Sequence, residues 1–235
     1  MPQPAGSTKA TYVREMFGGI APRYDLLNTF MSLGQDKNWR RLAVALADPP
    51  KGGLALDVAT GTGEMAFELA KRTEQVIGLD FSPHMLTLAE AKARRLGLEG
   101  RVGFMLGDAL ALPFADNSFD CATIGFATRN VASIAASFAE MRRVVKPDGR
   151  VICLELTQPG SRFLSGLYRV YLHGLVPRLG RLVSGHGDAY SYLPASLTGF
   201  PRPQGLKALM EKAGLREVSY KSVNFHTIAL HLGVK

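Results

Sequence analysis

The stretch Asp57-Val58-Ala59-Thr60-Gly61-Thr62-Gly63-Glu64 sets two glycines two residues apart, between an apolar run and a helical one. Glycines at that spacing let a backbone turn sharply and approach a ligand closely, with a helix N-terminus just behind. This is chemistry for holding a nucleotide-like cofactor, and with Ala66 in the third place it fits a dinucleotide loop as well. Two further acids narrow the reading. Asp80 closes the next apolar run, where a carboxylate can accept hydrogen bonds from both hydroxyls of a ribose. Asp108 closes the run after that, in Gly-Asp-Ala-Leu-Ala-Leu-Pro-Phe. There it can accept from an adenine amino group while the Ala109 N–H donates to the ring. Asp57, just before the glycine loop, favours a cationic sulfonium and would repel a pyrophosphate.

The elements that must position these groups follow from periodicity. Strands are predicted at 54–59, 75–81, 101–108, 119–127 and 150–157. Helices are predicted between them at 63–72, 83–97 and 134–145, the last ended by a turn at Lys146-Pro147-Asp148-Gly149. The helix at 83–97 puts Met85, Leu86, Ala89, Ala93 and Leu96 on one face. Repeating β-α units at this spacing imply a parallel, doubly wound sheet. The end of the chain breaks the rhythm. After a helix at 204–213 come strands at 215–222 and 225–233, with about two residues between them. So short a link fits an antiparallel hairpin and excludes a crossover helix.

One domain is expected over 1–235, in four parts: an N-terminal helical cap (1–50), a cofactor-binding core (51–157), a lid insertion (158–203) and a closing helix with hairpin (204–235). Hydrophobic residues make up 46% and charged residues 20%, a globular balance rather than a disordered one. The N-terminus shows no apolar core of a signal peptide, and no run of about 18 apolar residues occurs anywhere. Cys121 and Cys153 sit inside predicted strands, at a spacing that suits neither a disulfide framework nor a metal site, which points to a reducing cytoplasm. A net charge of +8 permits attraction to nucleic acid, anionic lipid or an acidic ligand without choosing among them. An NAD-dependent oxidoreductase would need a hydride-transfer pair on the later units, and none is found.

The segment Leu112–Ile134, the run Phe17-Gly18-Gly19-Ile20-Ala21-Pro22-Arg23-Tyr24-Asp25-Leu26-Leu27-Asn28, and Trp39-Arg40-Arg41 together resemble the ubiquinone/menaquinone C-methyltransferase family. The C-terminal Ala229–Lys235 resembles that family's ending, and the stretch Cys153–Pro159 looks closer to its menaquinone branch. The resemblance implies a doubly wound, mostly parallel seven-stranded α/β sheet of the class I, Rossmann-like methyltransferase type, ending in an antiparallel hairpin. It implies S-adenosyl-L-methionine as cofactor, contacted by Thr62, Asp80, Asp108 and Ala109, with Asp57, Gly61 and Gly63 forming the loop around it. The substrate implied is a prenylated quinol, demethylmenaquinol or else a ubiquinone precursor. Peripheral contact with the inner face of the cell membrane is compatible with such a substrate, and a homodimer stays open.

Methylating a ring carbon requires an electron-rich hydroquinone whose hydroxyl gives up its proton while the methyl donor is held in line. The resemblance sets Arg129 and Asn130 against the ring, where Arg129 can stabilise a phenolate or orient a water that removes the proton. Tyr24 and Asp25 are candidate pocket residues from the cap. His186 and Ala195 stand where the family tends to carry acids, so no acid–base role is assigned to that loop. His226 and His231 read as structural. The insertion is basic and apolar but broken by Gly166, Gly174, Pro177 and Gly180, which suits a headgroup contact or a tunnel for an isoprenoid tail. The readings from other classes are an RNA-binding methyltransferase and a non-catalytic regulator that binds the cofactor. The loop after the fourth strand lacks the Pro-Pro-aromatic pattern of base-amine methylation, and no RNP-type aromatics occur, so no nucleic-acid partner is expected.

Overall fold

Apolar runs too short for helices pair here into one seven-stranded sheet, in a computed structural model that describes residues 25–158, Gly174 and 196–235. The strands are β1 (Leu54–Val58), β2 (Gln75–Asp80), β3 (Val102–Leu106), β4 (Phe119–Gly125), β5 (Val145–Leu156), β6 (Arg216–Val223) and β7 (Ile228–Val234). Their order is β3-β2-β1-β4-β5-β7-β6, with β7 antiparallel to both of its neighbours and every other pairing parallel. Ala55, Leu56, Asp57 and Val58 are all buried, as befits a central strand covered on both faces.

Among the described residues, the helices that cover it are α1 (Gln35–Ala47), α2 (Glu64–Leu69), α3 (Pro83–Leu96), α4 (Ile134–Val144) and α5 (Pro203–Lys212). Trp39, Val44, Phe67, Leu69 and Ala93 bring α1, α2 and α3 onto one face, against Ala55, Val76 and Ile152. Phe138, Met141, Leu206 and Met210 bring α4 and α5 onto the other, against Leu56, Phe119 and Val151. The helix ends follow local chemistry. Pro83 opens α3, Gly97 closes it in the left-handed conformation, and the Ser133 hydroxyl accepts the Ala136 N–H at the start of α4. Residues 25–31 are also helical.

Several expected boundaries are corrected. The helix after the glycine loop is shorter than 63–72, ending at Leu69. Leu96 is exposed rather than on the buried face of α3, because the chain is already turning into Gly97. The Lys146–Gly149 turn lies inside β5 as a bulge: Phe119 pairs with Val145 but Cys121 with Arg150. Asp120 holds that bulge to the sheet, its carboxylate accepting Lys146 Nζ at 2.7 Å and the Leu54 N–H at 2.8 Å. The hairpin link is longer than two residues, since Asn224, Phe225 and His226 adopt left-handed φ values of 51°, 55° and 63° between β6 and β7. His226 is therefore a turn residue, while His231 is buried in β7 with its ring Nε2 2.9 Å from the Pro203 carbonyl.

Gly149 sits at the crowded point of the bulge. A Cβ there would come within 2.4 Å of Val145 Cγ1 and 2.6 Å of the Asp120 carbonyl oxygen. Gly149→Ala is expected to lower stability by about 1–3 kcal/mol, seen as a drop in thermal midpoint. An unchanged midpoint would mean that the bulge yields freely.

Candidate active site

The strand order reverses at β1 and β4, so the loops leaving their C-terminal ends part in opposite directions and open a crevice. A cleft of about 270 Å³ lies there, close to the lower end of the usual range for ligand pockets. Ala59 at the end of β1 and Phe126 at the end of β4 both line it, and both are held at left-handed φ, 54° and 58°. Non-glycine residues adopt that conformation at an energetic cost, and such positions concentrate where a site demands a particular backbone path.

Of the residues singled out from sequence, the structure brings Gly61, Asp80, Asp108, Ala109 and Asn130 together on the cleft wall. Asp80 is only 5% exposed. Its Oδ2 accepts the Gly61 N–H at 2.8 Å and its Oδ1 the Ser82 N–H at 2.9 Å, so the acid ties the glycine loop to the end of β2. Burial raises its pKa, and those backbone N–H groups work against the rise. Each carboxylate oxygen keeps a second lone pair for a ligand hydroxyl. Gly61 has φ 56°, and a Cβ added to it would meet open space, leaving the loop clear on that side. Asp108 is exposed at the other end of the cleft, its Oδ1 accepting the Leu110 N–H at 2.9 Å.

Other candidates stand behind the wall. Asp57 is fully buried on β1, accepting Thr60 Oγ1 at 2.6 Å and Thr123 Oγ1 at 2.7 Å. Burial pushes its carboxyl up to about 6 against the pull of those two hydroxyls and of Arg40, with Asp80 adding to the rise. Thr62 is buried and gives its hydroxyl to Asp25 Oδ1 at 2.5 Å, while Lys92 of α3 pairs with both Asp25 and Glu64. Asp25 thus fastens the helix at 25–31 to the cofactor loop. Gly63, at φ 87°, leaves room for the Phe67 ring, which a Cβ would meet at 2.7 Å. Arg129 is drawn into a buried ion pair with Glu155. Tyr24, His186 and Ala195 lie outside the described residues.

Sequence reasoning missed the apolar wall formed by Phe81, Met85, Leu106 and Val131, because those residues look like ordinary core in a linear reading. It also missed Glu155, whose signal was present: a lone acid inside the apolar run Val151–Leu156. The only charged side chains lining this cleft among the described residues are Asp80 and Asp108. An acidic, partly apolar cleft suits a nucleoside that carries a positive charge and is hostile to phosphates. S-adenosyl-L-methionine, a nucleoside that carries a sulfonium charge, fits that chemistry.

The sheet order and the crevice at its switch point define a class I methyltransferase fold. Solved structures agree. A SAM-dependent methyltransferase from Thermotoga maritima superposes with a TM-score of 0.65 at 20% identity, covering 94% of this chain and 99% of that one. Another from Aquifex aeolicus gives 0.61 at 16% identity, covering 89% and 97%. The model of the ubiE/COQ5 methyltransferase family matches residues 5–235, and the chain belongs to that family. It is a methyltransferase whose methyl donor is S-adenosyl-L-methionine. Among its relatives are the demethylmenaquinone methyltransferases of Deinococcus radiodurans, 45% identical over 97% of this chain and 94% of that protein, and of Thermus thermophilus, 46% identical over 93% and 99%. The ubiquinone/menaquinone biosynthesis C-methyltransferase UbiE of Geobacter sulfurreducens is 40% identical over 97% and 90%.

Two outcomes are expected. Asp80→Ala should weaken cofactor binding in calorimetry by more than about tenfold, the scale of a lost charged hydrogen-bond pair; unchanged binding would move the ribose elsewhere. Asp57 titrates higher folded than unfolded, so the folded state holds its proton more tightly and stability falls as pH rises from about 4 to about 6. Asp57→Asn removes that fall. Its stability relative to the natural chain should rise by about 2–3 kcal/mol between pH 4 and pH 7 in urea titrations. A pH-independent difference would show that Asp57 does not titrate in this window.

Proposed function

We propose that this enzyme methylates a ring carbon of a prenylated quinol, converting demethylmenaquinol to menaquinol. The observation that carries the reading is similarity along nearly the whole chain to relatives named for that reaction, at 45% and 46% identity. A ubiquinone precursor is the second reading, favoured by the 40% identical relative whose name covers both quinones. The acidic cleft wall speaks against nucleic acid as the substrate, despite a net charge of +8.

The cofactor supplies an electrophilic methyl group on a sulfonium centre. Asp80 would accept from its ribose hydroxyls, Asp108 would accept from the adenine amino group, and the Ala109 N–H would donate to the ring. Gly61, Thr62 and Gly63 shape the loop against it, and buried Asp57 adds negative potential beneath. On the substrate side, a hydroxyl gives up its proton to make the neighbouring ring carbon nucleophilic. That carbon would take the methyl group as the bond to sulfur breaks to leave a neutral thioether. The ring hydrogen then leaves as a proton and the phenolate oxygen regains one. Arg129, which does not itself line the cleft but lies just behind its wall in a pair with Glu155, steadies the resulting phenolate charge from there or orients the water that takes the proton. Asn130, on the cleft wall, holds the ring by a hydrogen bond, and Tyr24 stays a candidate ring contact on the strength of the sequence resemblance alone. No helix among the described residues is long and apolar enough to cross a membrane. A prenylated substrate is lipid-borne, and we propose a cytoplasmic enzyme that meets it at the inner membrane face.

Labelled cofactor should transfer methyl to the ring carbon of a chemically reduced, short-chain demethylmenaquinol, in preference to a demethoxy-type ubiquinol precursor. Label only on the ubiquinol precursor would reverse the two readings, and label on neither would overturn both. Arg129→Ala should cut turnover by about 100-fold or more while cofactor affinity stays nearly intact. Normal turnover would remove Arg129 from the mechanism.

A further inference from the structure

The loop that leaves β4 is fastened by one buried carboxylate, which belongs to neither the loop nor the cleft wall. Glu155, next to last in β5, is 1% exposed. Its Oε2 accepts the Thr128 hydroxyl at 2.9 Å and, more weakly, the Arg129 N–H at 3.4 Å. Its Oε1 accepts the Leu156 N–H at 2.9 Å and pairs with Arg129 Nη1. The Arg129 side chain is 7% exposed, so the pair is made out of reach of bulk water. On the same loop, Phe126, Ala127, Asn130, Val131 and Ala132 line the cleft.

A buried ion pair adds little net stability over apolar residues of the same size, so stability gives little reason for one here. Its geometric effect is large. A guanidinium has many rotamers in water, but here its position is set by a rigid strand, through a carboxylate whose four donors fix it in turn. Glu155 also holds Thr128 and the Arg129 backbone, which places the turn that carries Asn130 into the cleft. The Asn130 N–H then closes that turn on the Ala127 carbonyl at 2.8 Å.

We infer that Glu155 is a positioning residue for methyl transfer, acting through Arg129 and the 126–130 loop rather than by touching substrate or cofactor. The inference rests on the role of Arg129 in the quinol reaction given above. Because the cofactor's anchoring acids lie on other strands, loss of Glu155 separates turnover from cofactor binding.

The test compares the natural enzyme with Glu155→Gln, Arg129→Ala and the double variant, each assayed for kcat with reduced demethylmenaquinol and for cofactor affinity. The chain's single tryptophan supplies a readout besides activity, since Trp39 packs edge-to-face on Phe126 of the same loop, with ring centroids 6.3 Å apart. Glu155→Gln should lower kcat by about 30- to 100-fold, as misplacement by about 1 Å does. It should leave cofactor affinity within about threefold and shift Trp39 emission. In the Arg129→Ala background, Glu155→Gln should cost clearly less kcat than in the natural enzyme, because the part carried through Arg129 is already lost and only the hold on Thr128 and the loop remains. Unchanged kcat in Glu155→Gln, or additive losses in the double variant, would overturn the inference. If Glu155→Gln does not fold, Glu155→Asp keeps the charge and draws the carboxylate back by one methylene. It should lower kcat by about tenfold at normal cofactor affinity, and normal kcat would overturn the inference. Failure of the natural enzyme to label any quinol would sink the quinol reading instead; Trp39 emission unmoved by Glu155→Gln would then sink the positioning role as well.

Discussion

A carboxylate without solvent joins the two strands whose loops part to make the cleft. Asp57 of β1 takes a hydrogen bond from Thr123 of β4 on one oxygen and from Thr60 of the glycine loop on the other. The Thr60 N–H in turn reaches the Leu79 carbonyl of β2 at 3.0 Å. Three strands and the cofactor loop therefore converge on one side chain. Burying an acid there raises its pKa to about 6, so a near-neutral solution is needed to keep it charged. The two hydroxyls hold it by directed bonds that fix the loop, which an apolar side chain would not do.

The same arrangement resolves an apparent conflict between the protein's charge and its ligand. The chain as a whole is basic, at +8, yet among the described residues the charged part of the cleft wall is acidic. A sulfonium cofactor needs local negative potential and no phosphate cradle, and the potential at close range is set by the nearest charges rather than by the sum. Asp57 beneath, Asp80 at the β2 end and Asp108 beyond β3 put three carboxylates in or behind the cleft wall from three adjacent strands.

Anchoring by acids recurs on the other side of the crevice. Glu155 holds the loop after β4 as Asp80 holds the loop after β1, each from the C-terminal end of a neighbouring strand. Both loops also begin with a residue in the left-handed conformation, Ala59 and Phe126. A backbone path of that kind persists only where surrounding bonds over-determine it. The cleft is in this sense a gap between two loops, each pinned by a carboxylate from the strand beside it.

Much of this was open to a linear reading. Strand and helix order followed from hydrophobic period and length, and the antiparallel end followed from a link too short for a crossover helix. Asp80, Asp108 and Gly61 were legible as residues of one cleft because the ends of successive parallel strands must meet at one edge. The sequence could not say which acids face the ligand and which lie behind it. Asp57 and Asp80 look alike on paper, and only the register that pairs Asp57 with Gly78 and Thr123 turns the first inward. Nor could it show that Arg129 is held by Glu155, since the two are 26 positions apart and meet only when β5 is laid beside β4. Local pattern determines which elements form and in what order, because it reflects nearest-neighbour burial. Pairings between distant side chains depend on sheet register and loop path, which the tertiary structure alone decides.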